Sequence, residues 1–298
     1  MIAVHIEDGR VEIRRKPMPK RRKGHALISL VVAGICNTDL ELQRGYYGFR
    51  GTPGHEFAGE VVEADDARWV GKRVVGEINL ACGKCEWCRR GLGRHCPHRT
   101  TLGIVKHPGV FAEYFTLPVE NLRAVPRNVP DDAAVFTEPI AAACEILDQV
   151  RIPRGGEVAL LGYGKLGRLI EQVLAANGCK VRVFRREAPK RGSYRWVIEA
   201  TGTAEGLNQA IAMTEPRGTL ILKSTVHGAV PMDAAAAVVN EITIVGSRCG
   251  RFDPALALLR KGKIHTKQMI SARYPLFEAP TAFEKAAEHG VLKVLLDV

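Results

Sequence analysis

No run of about twenty consecutive apolar residues occurs in this 298-residue chain, so no membrane-spanning helix is expected. The opening stretch, MIAVHIEDGRVEIRR, lacks the apolar core and small-residue cleavage site of a signal peptide. Export is therefore not expected, and the eight cysteines fit a reducing cytoplasm, where disulfides are rare. Internal repeats and low-complexity tracts are absent as well, which sets aside repeat architectures. Acidic residues are the scarcer charge: 43 Lys and Arg stand against 32 Asp and Glu, giving a net charge of +11 and a pI of about 9.4. A basic balance raises nucleic acid as a partner. The densest basic run, RRKPMPKRRK at 14–23, has two prolines and no aromatic residue between its charges. It reads as a solvated connection between two early strands, and nucleic acid is disfavoured. With 46% hydrophobic and 25% charged residues, the composition is that of one or two ordinary soluble domains.

The two halves follow different patterns. In the first, short apolar segments such as 26–32, 57–64, 73–78 and 112–117 are bounded by Gly, Pro or charged turns, the mark of a β-rich domain. In the second, strand-like 157–164, 181–184, 196–201, 219–224 and 242–247 are mostly separated by helix-like segments, including KLGRLIEQVLAANG at 165–178. That alternation predicts a parallel sheet with helices on its faces, a doubly wound α/β domain. A helix over about 138–150 joins the halves, and the tail reads as one helix and one strand.

Four cysteines, Cys82, Cys85, Cys88 and Cys96, lie in ACGKCEWCRRGLGRHC with spacing C-x2-C-x2-C-x7-C. Four thiolates so close in sequence can wrap one tetrahedral ion, and zinc is the usual occupant of a closed site of this kind. Disulfides fit poorly in a chain without an export signal. Bacterial iron–sulfur runs also use C-x2-C-x2-C with a following proline, but their last gap is three residues, whereas here it is seven.

The glycine turn Gly162-Tyr163-Gly164-Lys165-Leu166-Gly167 leaves a predicted strand and opens a predicted helix, the context that makes G-x-G-x-x-G a dinucleotide fingerprint. Gly162 permits the tight turn, Gly164 the approach of a pyrophosphate, and Gly167 close helix–strand packing. A second metal site is suggested by Cys36 in AGICNTDL, His55 with Glu56 in GTPGHEFAGE, and Glu138 in AAVFTEPIAAAC. A carboxylate in so apolar a stretch as that around Glu138 is costly unless paired or metal-bound, which favours Glu138 over Glu56. One Cys, one His and one carboxylate leave a fourth position open, as catalytic zinc requires.

These motifs, in this order and over nearly the whole chain, resemble the zinc-dependent medium-chain dehydrogenases of the alcohol dehydrogenase superfamily. The Glu-Pro pair after the cysteine lobe is similar to the polyol, sugar and threonine dehydrogenase branch. The resemblance implies a GroES-like catalytic domain over 1–138 with a structural-zinc lobe at 80–97, a Rossmann domain over 139–271, and a return over 272–298. It implies two zinc ions, one in the cysteine lobe and one on Cys36, His55 and Glu138, with Glu56 nearby. It implies that Thr38 hydrogen-bonds the substrate oxygen and that Asp39 orients His55. The family's histidine three residues after the relay hydroxyl is Glu41 here, so proton exit uses Glu41 or solvent. The implied substrate is a small alcohol or ketone, and the implied assembly a homodimer or homotetramer. Tyr46, Tyr47 and Phe49 precede His55 as candidate pocket or loop residues.

Only residues 185–195 separate VRVF from WVIEAT, too few for a crossover helix, a further strand and its return. One edge β-α unit of the Rossmann domain is therefore expected to be missing, with Arg182, Arg185 and Arg186 protecting the edge so exposed. Arg185 and Arg186 also follow the second strand, where an arginine accommodates a 2′-phosphate. Glu187 stands close to the spacing of a ribose-binding acid. On balance NADP(H) is slightly favoured over NAD(H). The expected activity is hydride transfer between NAD(P) and a secondary alcohol, polyol or hydroxy-amino acid. The alternatives are a reductase of the same fold without catalytic zinc, and a basic nucleic-acid-binding protein with a vestigial dinucleotide site.

Overall fold

The computed structural model describes residues 1–185, 191–225 and 229–298. The chain forms two compact units, Met1–Glu138 with His265–Val298, and Pro139–Ile264. The first is β-rich. A hairpin of β1 (Ile2–Glu7) and β2 (Arg10–Arg15) turns on Asp8 and Gly9, both at positive φ. Next come β3 (His25–Ile35), α1 (Asn37–Gln43), β4 (Glu56–Glu63) and β5 (Arg73–Gly76). The cysteine lobe holds β6 (Asn79–Leu80), α2 (Glu86–Arg89), β7 (Thr100–Leu102) and β8 (Lys106–His107), and β9 (Tyr114–Pro118), β10 (Leu122–Ala124) and α3 (Asp131–Ala134) complete the stretch.

Helix α4 (Thr137–Gln149) leads into the second unit: β11 (Glu157–Leu161), α5 (Lys165–Ala176), β12 (Lys180–Phe184), β13 (Tyr194–Glu199), α6 (Ala204–Met213), β14 (Thr214–Leu222), α7 (Ala234–Val239), β15 (Thr243–Gly246) and α8 (Phe252–Arg260). The chain re-enters the first unit at His265, ahead of the residue 272 expected from sequence. The reason is that β16 (Ile270–Pro275) already pairs with β17 (Lys293–Asp297), on the far side of α9 (Ala279–Ala287).

Strand β3 organises the first unit. Ala26, Ile28, Leu30 and Val32 are buried at every second position, the period of a strand with one face in the core. The sheet runs β10-β5-β4-β3-β17-β16, with β9 pairing on the first half of β3. Near its end β3 lies between β4 and β17, and Gly34 stands opposite Glu56 on one side and Leu295 on the other.

The second unit is a parallel sheet in the order β12-β11-β13-β14-β15. The strand order reverses at β11, which makes the carboxyl ends of β11 and β13 the switch point where open α/β sheets bind ligands. Two full mononucleotide-binding halves would give six strands; here there are five among the described residues. The connection from β12 to β13 spans only 185–193, so β12 remains as an edge. Arg182 is exposed there, 3.8 Å from Glu157. Arg186 and Glu187 lie outside the described residues. Ala159, Leu161, Val197 and Leu220 of the sheet pack with Ile211 of α6 in one core cluster.

Candidate active site and metal centres

Cys36 caps α1 in an extended conformation, which ends β3 and starts the helix at one residue. Asp39, fully buried in the first turn, accepts hydrogen bonds from Cys36 N–H at 2.8 Å and Gly54 N–H at 3.1 Å. Its Oδ1 lies 3.5 Å from His55 Nδ1. At that distance the contact is one of charge, and His55 Nδ1 is left buried without a hydrogen-bond partner. Burial disfavours the imidazolium, but Asp39 and Cys36 outweigh it and raise the His55 pKa well above its usual value. Thr38 Oγ1 sits 3.9 Å from the Cys36 sulfur. Glu41, one helical turn on, is ion-paired with Arg44 at 2.6 Å. In the loop that follows, the Tyr46 and Tyr47 rings stack at 4.0 Å and Tyr47 is exposed. Phe49 closes that short turn.

The donor atoms of Cys36, His55 and Glu56 all fall within 4.8 Å of one another. The group so formed contains Glu56 and not Glu138, the reverse of what the apolar setting of Glu138 suggested. The cause is register: His55 and Glu56 enter β4 together beside the end of β3, whereas Glu138 is half-buried on the first turn of α4. Three buried or half-buried donors, one sulfur, one nitrogen and one carboxylate, match the open three-ligand sets of catalytic zinc.

Lys293, which sequence reasoning missed, completes the cluster. It is 5% exposed, ion-pairs with Glu56 and lies 3.5 Å from the Ile35 carbonyl. Burial opposes its charge, yet the Glu56 and Cys36 charges raise its pKa. The pair spans β3 above Gly34, where a Cβ would sit 3.0 Å from Lys293 Cδ and 3.1 Å from Glu56 Oε2. The one available signal was a lysine opening the apolar strand KVLLDV.

In the lobe, the four sulfurs approach in a ring: Cys82–Cys88 at 3.9 Å, Cys88–Cys85 at 3.4 Å, Cys85–Cys96 at 3.6 Å and Cys96–Cys82 at 3.6 Å. None is a disulfide. Four sulfurs at zinc-bonding distance from one tetrahedral centre stand about 3.8 Å apart, so the lobe fits the ion. Backbone N–H groups of Lys84 and Cys85 lower the Cys82 pKa to about 6, while burial and a hydrogen bond with Cys85 push Cys88 up to about 12. A cation among them would remove that conflict.

The glycine turn takes the expected form. Gly162 has φ +92°, and a Cβ there would meet the Ala200 carbonyl oxygen at 2.4 Å. Gly164 faces open space at the start of the twelve-residue helix α5, where Lys165 and Leu166 form the first turn. A pyrophosphate can approach backbone N–H groups there. At Gly167 a Cβ would lie 2.1 Å from the Gly162 carbonyl oxygen, so helix and strand meet closely.

Residues 22–127 match the alcohol dehydrogenase GroES-like domain family. A sorbitol dehydrogenase of Halalkalibacterium halodurans is 27% identical over 329 aligned positions, covering 97% of this chain and 96% of the relative. The Thermus sp. ATN1 alcohol dehydrogenase structure superposes with a TM-score of 0.92 at 27% identity, covering all of both chains. A Sinorhizobium meliloti 1021 structure, assigned as a zinc-binding dehydrogenase and bound to NADP, gives 0.90 at 28% identity over 100% of this chain and 99% of that one. Fold, glycine turn and metal clusters define the class, a nicotinamide-dependent oxidoreductase with zinc-binding character. The chain carries an alcohol dehydrogenase GroES-like domain over 22–127 and is similar, over nearly its whole length, to zinc-binding, polyol and threonine dehydrogenases.

Proposed function

We propose that this dehydrogenase oxidises a secondary alcohol of the polyol class, or reduces the matching ketone, with one zinc ion at Cys36, His55 and Glu56 and a second in the cysteine lobe. The observation that carries the reading is the convergence of three unlike donors within 4.8 Å on one end of β3. When bound, the catalytic zinc supplies Lewis acidity that favours the alkoxide, and the nicotinamide accepts the hydride. The chain's own residues prepare that chemistry. Asp39 fixes Cys36 through its backbone and faces His55. Lys293 balances the Glu56 charge, so the cluster can hold a divalent ion without excess negative charge. Thr38 takes the substrate proton and passes it outward, and Glu41, at the half-buried rim of α1, is its exit toward solvent. Glu138 is an auxiliary acid rather than a resting ligand. The lobe zinc supports structure, because four thiolates leave no open position.

Arg185, exposed directly after β12, supports NADP(H) over NAD(H). Strand β15 ends the sheet, with Val238 and Val239 exposed nearby on α7, which supports a homodimer or homotetramer. The deciding experiment assays secondary alcohols, polyols and L-threonine with both cofactors and counts metal in the same preparation. Two zinc ions and hydride transfer are expected. One zinc in a fully active enzyme overturns the two-site reading, and salt-sensitive nucleic-acid binding without hydride transfer overturns the enzyme itself.

A further inference from the structure

Tyr163, the second residue of the glycine turn, carries two guanidiniums on its ring. The Arg168 guanidinium carbon lies 4.6 Å from the ring centroid and that of Arg185 4.8 Å. Arg168 follows the last glycine of the turn on α5, and Arg185 follows β12. A hydrogen bond from Gly162 N–H to the Phe184 carbonyl, 3.3 Å long, holds turn and strand end side by side. The Tyr163 hydroxyl donates to Glu171, which fixes the ring. That hydrogen bond raises the phenol pKa, against the opposing pull of both arginine charges. Arg168 Nε is buried without a hydrogen-bond partner. Among the described residues neither guanidinium has a carboxylate at ion-pair distance.

Two like charges gathered on one ring, with Glu171 bound to the ring hydroxyl and ion-paired with neither guanidinium, favour an anion that joins them. The two ring distances hold the guanidinium carbons within about 9.4 Å of each other. A guanidinium carbon sits about 4 Å from the phosphorus of a phosphate it grips with two hydrogen bonds, so one phosphate joins both when the carbons lie within about 8 Å, a separation the two ring distances allow. The site lies at the end of the second strand, where a dinucleotide's adenosine ribose is recognised. We infer that Tyr163 is a positioning residue that holds Arg168 and Arg185 as a two-guanidinium receptor for the 2′-phosphate of NADP(H). This rests on the NADP(H) reading and adds Arg168 and Tyr163 to it as determinants of specificity.

Calorimetry on the intact protein with adenosine 2′,5′-bisphosphate and with 5′-AMP tests it without turnover. Wild type is expected to bind the bisphosphate more tightly. Arg168→Ala should weaken the bisphosphate by about 10- to 100-fold, the range for a lost charged hydrogen bond, and leave 5′-AMP unchanged. Tyr163→Phe keeps the ring and should keep the preference, whereas Tyr163→Leu should lose most of it while 5′-AMP still binds. Should Arg168→Ala and Tyr163→Leu leave the wild-type preference intact, this inference is overturned and the NADP(H) reading survives. A wild type indifferent to the 2′-phosphate overturns both. Weakening of the two ligands alike shows a damaged turn rather than a receptor, and also overturns the inference.

Discussion

The two candidate metal sites of the first unit are built in opposite ways. In the lobe all four sulfurs come from residues 82–96, and short turns suffice to bring them within 3.4–3.9 Å. The other cluster draws Cys36 from the end of β3, His55 and Glu56 from the start of β4, and Lys293 from β17. A cluster closed by local turns depends on its own loop. One assembled across three strands depends on sheet register, on a glycine that leaves room, and on charge balance within the core. Damage to the first should therefore remain local and structural, and damage to the second should reach chemistry and folding together.

The sharpest test pairs one ligand from each cluster. Cys36→Ala should cut turnover by at least roughly 1,000-fold while the lobe keeps its zinc, since a catalytic metal with two donors left is poorly held. Cys96→Ser should lose the lobe zinc, lower the melting temperature and leave the Cys36 metal in place. Metal counts on both variants check this, and loss of both ions in either one breaks the contrast.

Next is Lys293→Met. It leaves Glu56 as an uncompensated buried charge, a change that costs about 3–5 kcal/mol. The loss should be greatest after chelation and shrink when zinc is restored, because the ion then balances Glu56. Urea unfolding with and without metal measures the difference; equal losses in both would separate Lys293 from the metal site.

Asp39→Asn should cost about 10- to 100-fold in metal affinity at the Cys36 site, the usual penalty for removing a group that orients a ligand. Chelator competition would detect it, and the lobe zinc should not respond. The smallest effect is expected from Glu138→Ala, less than about tenfold in metal affinity and below the loss for Glu56→Ala. If the ranking of those two substitutions is inverted, Glu138 is the third ligand after all.

Much of this was legible because it is local. The cysteine spacing and the glycine turn each act within one stretch of chain: a Cβ at Gly162 or Gly167 would strike a backbone carbonyl oxygen, while Gly164 opens onto free space. The short link after β12 likewise implied a sheet cut at one edge. The choice between Glu138 and Glu56 was not legible, because an apolar neighbourhood shows only that an acid needs a partner, not which acid the fold brings beside Cys36 and His55. Lys293 lay hidden because its partner is 237 residues away.

By itself, then, the sequence determined the class of fold, the closed lobe, the dinucleotide turn and the candidates Cys36 and His55. Each follows from spacing that survives any packing. Only the tertiary structure decided that Glu56 joins them, that Lys293 balances it over Gly34, and that Tyr163 gathers Arg168 and Arg185. Those choices depend on which residues face one another across β4, β3 and β17, or across a turn and a strand end. A one-residue shift in register would send every such side chain to the opposite face.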